Sequence, residues 1–373
     1  MEYRSYEPFS VCFNMMKMKY RDYDEDLSKL GFLSPNDKIN VFINVETILK
    51  YISMIPDLEN KMMLQRDIVP LFVSNFINVI GHYKAFFVRN GLDTKVYLYS
   101  TDLLSHLTNG FSQVKYNEDF RSYYLLKYQS NPKYRYMCDK LCNDIIPELR
   151  TIIDFIPNAY YISGFDIDGS LIPYIVSNFD KERKNLVIGG ELFETQYSLL
   201  PNFVNHCIRR GPNAFSTTSS IEGYLVNIYK KKPDEISSFI SLFENYNIYV
   251  GLISVLGDKS RSIDGIPGVG LVKYEKMIKE AVDSARINVD TVTPELLSTM
   301  FSTQSNNYDS EFAKDFINNF YCLSVKKMYD ELTEASITSI KNQITDHVDV
   351  NGLIQLNQTK FFNHPLILEN ITL

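Results

Sequence analysis

Apolar positions fall into two rhythms along the first half of the chain. Residues 39–43 form a short apolar run of strand length, after which Val45, Ile48, Leu49 and Ile52 recur at helical spacing. Residues 67–88 repeat the helical rhythm through Ile68, Leu71, Phe72, Phe76, Val79 and Ile80 until Gly91 stops it, and residues 95–99 give a second strand. Helices are expected over 120–130 and 137–155, a third strand over 159–163, a helix over 170–178 and a fourth strand over 185–188. Strands alternating with helices point to an α/β fold with a mostly parallel sheet flanked by helices. After about residue 200 the rhythm changes: loops carry Gly211, Pro212 and Gly223, and helices follow near 234–256, 270–282, 294–301, 309–332 and 335–345, with an exposed loop at 302–309. The expected division is an N-terminal extension (1–38), an α/β domain (39–200), a helical region (201–345) and a C-terminal tail (346–373).

Composition narrows the functions such a chain can have. Of 373 residues, 45% are hydrophobic and 22% charged, ordinary for a globular protein with a sizeable core. No apolar run reaches the roughly 18 residues of a membrane span. Residues 1–10 mix charged and aromatic side chains without the apolar stretch of a secretory signal, so neither a membrane nor a secreted location is expected. Cys12, Cys138, Cys142, Cys207 and Cys322 are scattered and read as reduced thiols. His82, His106, His206, His347 and His364 form no metal-binding spacing, and no zinc site is expected. The net charge of −7 confines any nucleic-acid contact to a local patch. With 26 Tyr, 24 Phe and no Trp, the residue usage fits an AT-rich genome such as many phages carry.

The most informative stretch is 257–270, Gly-Asp-Lys-Ser-Arg-Ser-Ile-Asp-Gly-Ile-Pro-Gly-Val-Gly, followed by an amphipathic helix over 271–281. Its glycines permit a tight turn close to a phosphate, and amides at the following helix start can receive that phosphate or a bridging cation. Gly268, Gly270, Lys273 and Lys276 are therefore the candidate phosphate-binding residues. On its own, the segment also reads as a plain turn between helices.

This stretch resembles the signature of the flap endonucleases and phage 5′–3′ exonucleases, a PIN-like family with a helix–three-turn–helix. There a Gly-Asp-x-Ser-Asp-Asn run leads into Ile-Pro-Gly-Val-Pro-Gly-Ile-Gly. Further landmarks stand in the family's order. Residues 164–169 (Gly-Phe-Asp-Ile-Asp-Gly) are similar to its Gly-x-Glu-Ala-Asp-Asp, and residues 188–196 (Ile-Gly-Gly-Glu-Leu-Phe-Glu-Thr-Gln) to its strand-end Ser-Gly-Asp-Lys-Asp-x-x-Gln. Arg121 and Tyr128 repeat the spacing of its arch residues. The resemblance spans about 39–285 and implies a fold built for two-metal phosphodiester hydrolysis.

The same alignment of landmarks implies that the metal ligands are largely gone. Two divalent ions about 4 Å apart need a dense set of hard oxygen donors. Position by position, the family's acids fall on Asn44, Ser100 (with Asp102 close by), Asp166, Asp168, Gly169, Glu191, Phe193 and Arg261, and the arch lysine falls on Gln129. Asp166, Asp168 and Glu191 remain as remnants, while Arg261 brings a charge that does not deprotonate. Each survivor also has a plain structural reading. Asp166 and Asp168 can cap the 170–178 helix, Glu191 can pair with Arg261, Asp258 and Asp264 can cap turns, and Arg121 and Tyr128 can simply pack.

Three functions are open on these grounds. The first is a catalytically inactive 5′ nuclease-fold protein, phage-encoded, that needs no cofactor. It would act as a structural virion component such as a neck or tail ring, or as a DNA-binding accessory factor. Its partners would be other viral proteins, a homo-oligomeric ring of its own copies, or DNA at the hairpin, in a virion or the host cytoplasm. The second is a residual structure-specific 5′ nuclease using one divalent ion, Mg2+, at Asp166, Asp168 and Glu191, with Asp102 as a further candidate ligand. The third is an unrelated α/β interaction protein.

Overall fold

The computed structural model describes residues 36–46, 87, 90–101, 126, 128–154, 156–164, 167–189, 191–210, 215–218, 240–258, 261, 263–303 and 310–345. Outside these fall most of the 1–38 extension, nearly all of the helical stretches 48–88 and 120–127, the loop glycines Gly211 and Gly223, and the tail.

Among the described residues six strands form one sheet in the order β3-β2-β1-β4-β5-β6: β1 (Lys38–Asn44), β2 (Asp93–Thr101), β3 (Ala159–Gly164), β4 (Lys184–Gly189), β5 (Phe203–Arg210) and β6 (Phe215–Thr218). All neighbours are parallel except β5 and β6, which run antiparallel. The expected mostly parallel α/β sheet is thus present. Its strands are covered on both faces, which is why β1 and β4 read as near-continuous apolar runs rather than as alternation. The sheet also continues past residue 200. β5 escapes a sequence reading because its sequence, Phe-Val-Asn-His-Cys-Ile-Arg-Arg, sets polar residues inside the strand, and the structure buries Asn205 there.

Among the described residues the helices are α1 (Pro132–Lys140), α2 (Ile146–Ile153), α3 (Ile172–Phe179), α4 (Tyr246–Leu256), α5 (Leu271–Asp283), α6 (Pro294–Thr303), α7 (Ser310–Leu323), α8 (Val325–Asp330) and α9 (Glu334–Thr345). A two-stranded ribbon, β7 (Gly257–Asp258) with β8 (Ile263–Asp264), lies between α4 and α5. Cross-strand register sets Phe42, Tyr97 and Val187 side by side, and the Phe42, Tyr97 and Tyr160 rings stack at 5.0 Å centroid spacings. From this face the apolar core runs without a break into the helical half through Phe243, Tyr249, Tyr274, Phe316 and Ile340. The opposite face buries Val41, Leu98 and Ile188, and α2 packs against β3 with Leu149, Ile152 and Ile153 turned inward.

Two polar devices fix the sheet's margins. Buried Arg183 pairs with Asp93 and Asp180 and donates to the carbonyls of Ile39 and Asp93, which gathers the amino ends of β1, β2 and β4. On β3, at the end of the strand order, the Gln343 side chain of α9 accepts from the Ser163 N–H (2.8 Å) and donates to the Ser163 carbonyl (3.1 Å), as a neighbouring strand would.

Candidate functional site

In an open parallel sheet, ligand sites form beyond the carboxyl ends of the strands, where the strand order reverses direction. Here the chain steps from β1 outward to β2 and β3, then returns to the other side of β1 for β4 and β5. The reversal lies between β1 and β4, and Asn44 and Gly189 stand at those two carboxyl ends. The structure brings Asn44, Ser100, Asp168, Gly169, Phe193 and Arg261 to this edge, all buried, together with partly buried Glu191.

Arg261 lies between β7 and β8, and its side chain is 6% exposed. Its Nε donates to Asp168 Oδ2 (3.0 Å) and its Nη1 to Asp258 Oδ2 (2.8 Å), while Nη2 donates to the Ser170 hydroxyl. The guanidinium lies over the Phe193 ring, 4.1 Å from its centroid. The sequence suggests Glu191 as the partner of Arg261; the carboxylates that grip it are Asp168 and Asp258. Asp258 is thus a buried ion-pair partner.

Asp168 serves two functions. It is the N-cap of the 3-10 turn Gly169–Leu171 that leads into α3, accepting from the Ser170 N–H (2.9 Å), and the Ser170 hydroxyl also donates to it. Burial alone would raise its pKa. The Arg261 charge and the Ser170 hydrogen bonds outweigh that and hold the carboxyl below its usual range.

Two carboxylates absent from the sequence reading complete the edge. Glu194 is fully buried, and its Oε1 accepts from Asn44 Nδ2 (2.6 Å) and the Tyr99 hydroxyl (2.7 Å). Its Oε2 accepts from the Glu191 N–H (3.1 Å). Burial raises its pKa against these donors. This carboxylate occupies the space where a side chain on Gly189 would project, so any larger residue there would displace Glu194 from its donors. Glu46, in the helical turn after β1, is also raised well above the usual carboxylate range. Loss of solvent is the main cause, followed by the charge of Asp168, with Glu191 and Glu194 adding to it; the Thr101 N–H opposes the shift. Each of these glutamates was findable as an acid close to a strand end or to a motif position: Glu46 is two residues after Asn44, and Glu194 directly follows Phe193.

At Gly169, one of the positions where the resemblance expects an acid, there is no room for any side chain. A Cβ there would lie 2.5 Å from the Thr101 nitrogen and 2.6 and 2.8 Å from the Ser100 carbonyl carbon and oxygen. The Gly169 N–H donates to the Thr101 hydroxyl (3.0 Å), which seals the turn against β2. Ser100 and Tyr161 share a hydrogen bond between their hydroxyls.

Tyr128, Gln129, Gly268, Gly270, Lys273 and Lys276 have other surroundings. Tyr128 donates to Asp139 (2.6 Å), and Gln129 is exposed. Asp102, Arg121 and Asp166 lie outside the described residues. Gly268 and Gly270 are exposed in a turn closed by the Val269 N–H on the Ile266 carbonyl (3.1 Å), just before α5. The element entering that turn is the β7–β8 ribbon, not a helix directly. Lys273 and Lys276 are exposed on α5, with Lys276 3.8 Å from Glu280. Among the described residues no three His, Cys, Asp or Glu side chains are grouped so as to hold a metal ion, and no helix is long and apolar enough to cross a membrane.

No family model matches the sequence, and no curated protein matches it. Solved structures do. The chain is similar to the flap endonuclease of bacteriophage T5, seen as a pseudo-enzyme–product complex with DNA and metal ions. The identity is 9% and the TM-score 0.49, over 83% of this chain and 99% of that one. It is likewise similar to the T5 5′-exonuclease with bound zinc, at 9% identity and TM-score 0.47 over the same shares.

Proposed function

We propose that this chain is a 5′ nuclease-fold protein of viral origin that works by contact and not by catalysis. Its role is that of a virion component, with DNA engagement confined to the turn before α5. One observation carries the reading: a buried guanidinium stands between Asp168 and Asp258 at the carboxyl edge, where phosphodiester chemistry would need divalent cations. The donors there do not suit a pair of such ions. Asp168 and Asp258 already face a fixed positive charge, and Glu194 spends its oxygens on Asn44, Tyr99 and the Glu191 N–H. Glu46 is biased towards its neutral form. Phe193 offers a ring and Gly169 offers nothing. Two dications near 4 Å repel each other strongly in a partly dry site and require concentrated negative charge to stay together. The net charge of −7 favours protein partners, including further copies of this chain, over a long DNA track.

The test is cleavage of flap, 5′-overhang and nicked DNA by the purified full chain in Mg2+ or Mn2+. No cleavage is expected. Metal-dependent cleavage that disappears in an Asp166→Ala, Asp168→Ala double variant would overturn the reading, because contamination cannot explain that loss. Mass measurement in solution and detection of the protein in purified particles distinguish a virion component from an accessory factor.

A further inference from the structure

We infer that Arg261 is a resident cation: its guanidinium neutralises and bridges Asp168 and Asp258 in place of a diffusible ion, and removing its side chain leaves a site that takes free guanidinium or a divalent cation. The inference deepens the functional reading above and rests on its view of this edge as non-catalytic.

Three observations support it. The cation is chelated, with separate nitrogens on two carboxylates from segments 90 residues and more apart, and a third nitrogen on the Ser170 hydroxyl. The relay is continuous, since Ser170 passes its own proton donor on to Asp168, so the hydroxyl and both carboxylates are oriented around one positive centre. The pocket is also shaped for a planar cation, with the Phe193 ring beneath it and all four side chains almost excluded from solvent. Breaking a buried pair by removing one partner leaves an uncompensated charge, which is far costlier than the pair itself is stabilising. Two such carboxylates facing one cavity constitute a strong demand for a replacement. Position adds a purpose. Asp168 belongs to the turn after β3, while Asp258 and Arg261 belong to the β7–β8 ribbon, so the cation fastens the helical half to the end of the sheet.

The experiment uses the full-length chain as wild type, Arg261→Ala, Arg261→Lys and Arg261→Ala with Asp258→Asn, followed by thermal unfolding. Titrants are guanidinium chloride at low millimolar concentration, Mg2+ and Mn2+. Arg261→Ala is expected to lose roughly 4–6 °C in Tm and to regain a saturating part of it with guanidinium or Mn2+. Wild type should show no such gain, and the double variant should show less rescue. Arg261→Lys keeps the charge without the fork and should fall between wild type and Arg261→Ala. If Arg261→Ala does not fold alone, recovery of folded protein on refolding with Mn2+ is the equivalent positive result, and failure of every titrant to restore it counts against the inference. Equal stabilisation of wild type by Mn2+ would overturn it, as would an Arg261→Ala variant as stable as wild type. DNA cleavage by wild type would sink the functional reading, whereas the thermal shifts address Arg261 alone.

Discussion

Replacing Gly169 by alanine adds a single methyl group, yet the structure assigns it a large cost. The new carbon would sit 2.5 Å from the Thr101 nitrogen and under 3 Å from the Ser100 carbonyl atoms, which are backbone of a buried strand held in register with β1 and β3. Ordinary contacts begin near 3.4 Å, so either β2 or the 3-10 turn must move by the better part of an ångström. Overpacking a closed site costs about 1–3 kcal/mol. Displacing the turn also threatens the Gly169–Thr101 hydrogen bond, worth about 1 kcal/mol. The sum is roughly 2–4 kcal/mol, or about 3–5 °C in Tm for a chain of this size. The control is Gly270→Ala, where a Cβ meets nothing within 4 Å and φ is −106°; it should stay within about 0.5 kcal/mol of wild type. Urea unfolding of both variants measures the difference. If Gly169→Ala matched Gly270→Ala, the steric account of why no acid can stand at this position would be wrong. The same argument makes Gly169→Asp a failed restoration, since it adds a buried charge to the collision.

Other outcomes follow from the same geometry. Glu46 and Glu194 have folded pKa values raised above the ordinary 4.5, so the folded state binds their protons first and stability climbs as pH is lowered from neutral towards that value. Asp168 is shifted the other way: its contribution is whole above its ordinary 3.8 and is lost as pH falls through its lower folded value. Tm measured from pH 8 to 3 should therefore peak on the acid side, and a Glu46→Gln, Glu194→Gln variant that rises as steeply as wild type would refute the assignment. Glu194→Ala strands donors from Asn44, Tyr99 and Glu191, and a loss of about 3–5 kcal/mol is expected in chemical denaturation, with Glu194→Gln milder. Any DNA binding should be sequence-independent, salt-sensitive and weakened by Lys273→Glu with Lys276→Glu; a gel shift unchanged by that pair would remove the hairpin from consideration.

The legible parts of the fold were those where burial is uniform. β1 to β4 and the helices starting at 271, 294 and 334 stand out because each buries either a continuous run or one stripe, and the structure places them within a few residues of the expected bounds. The helix expected over 234–256 is helical from 246 to 256, and the one expected over 309–332 is divided at Ser324 into α7 and α8. β5 was hidden because Asn205, His206 and the arginines at 209 and 210 interrupt its apolar run, and β6 because four residues carry no period. At the site, the motif positions led to Asp168, Gly169, Phe193 and Arg261, but not to their partners. Which carboxylate meets Arg261 is decided by the approach of the β7–β8 ribbon to the β3 end, a contact between residues 93 apart in sequence. The importance of Glu194 depends on the bare surface of Gly189, which no local pattern announces.

The amide of Gln343 on Ser163 has a consequence for the outer margin of the described sheet. An outer strand with unpaired N–H and C=O groups is a template on which another polypeptide can lay itself down and continue the sheet from molecule to molecule. Here one such template position is occupied by the chain's own glutamine, delivered by a helix anchored in the core through Ile340. Assembly through that margin must first lift α9 away. Loss of the Gln343 amide would bare the Ser163 N–H and C=O and make pairing of another polypeptide along β3 easier.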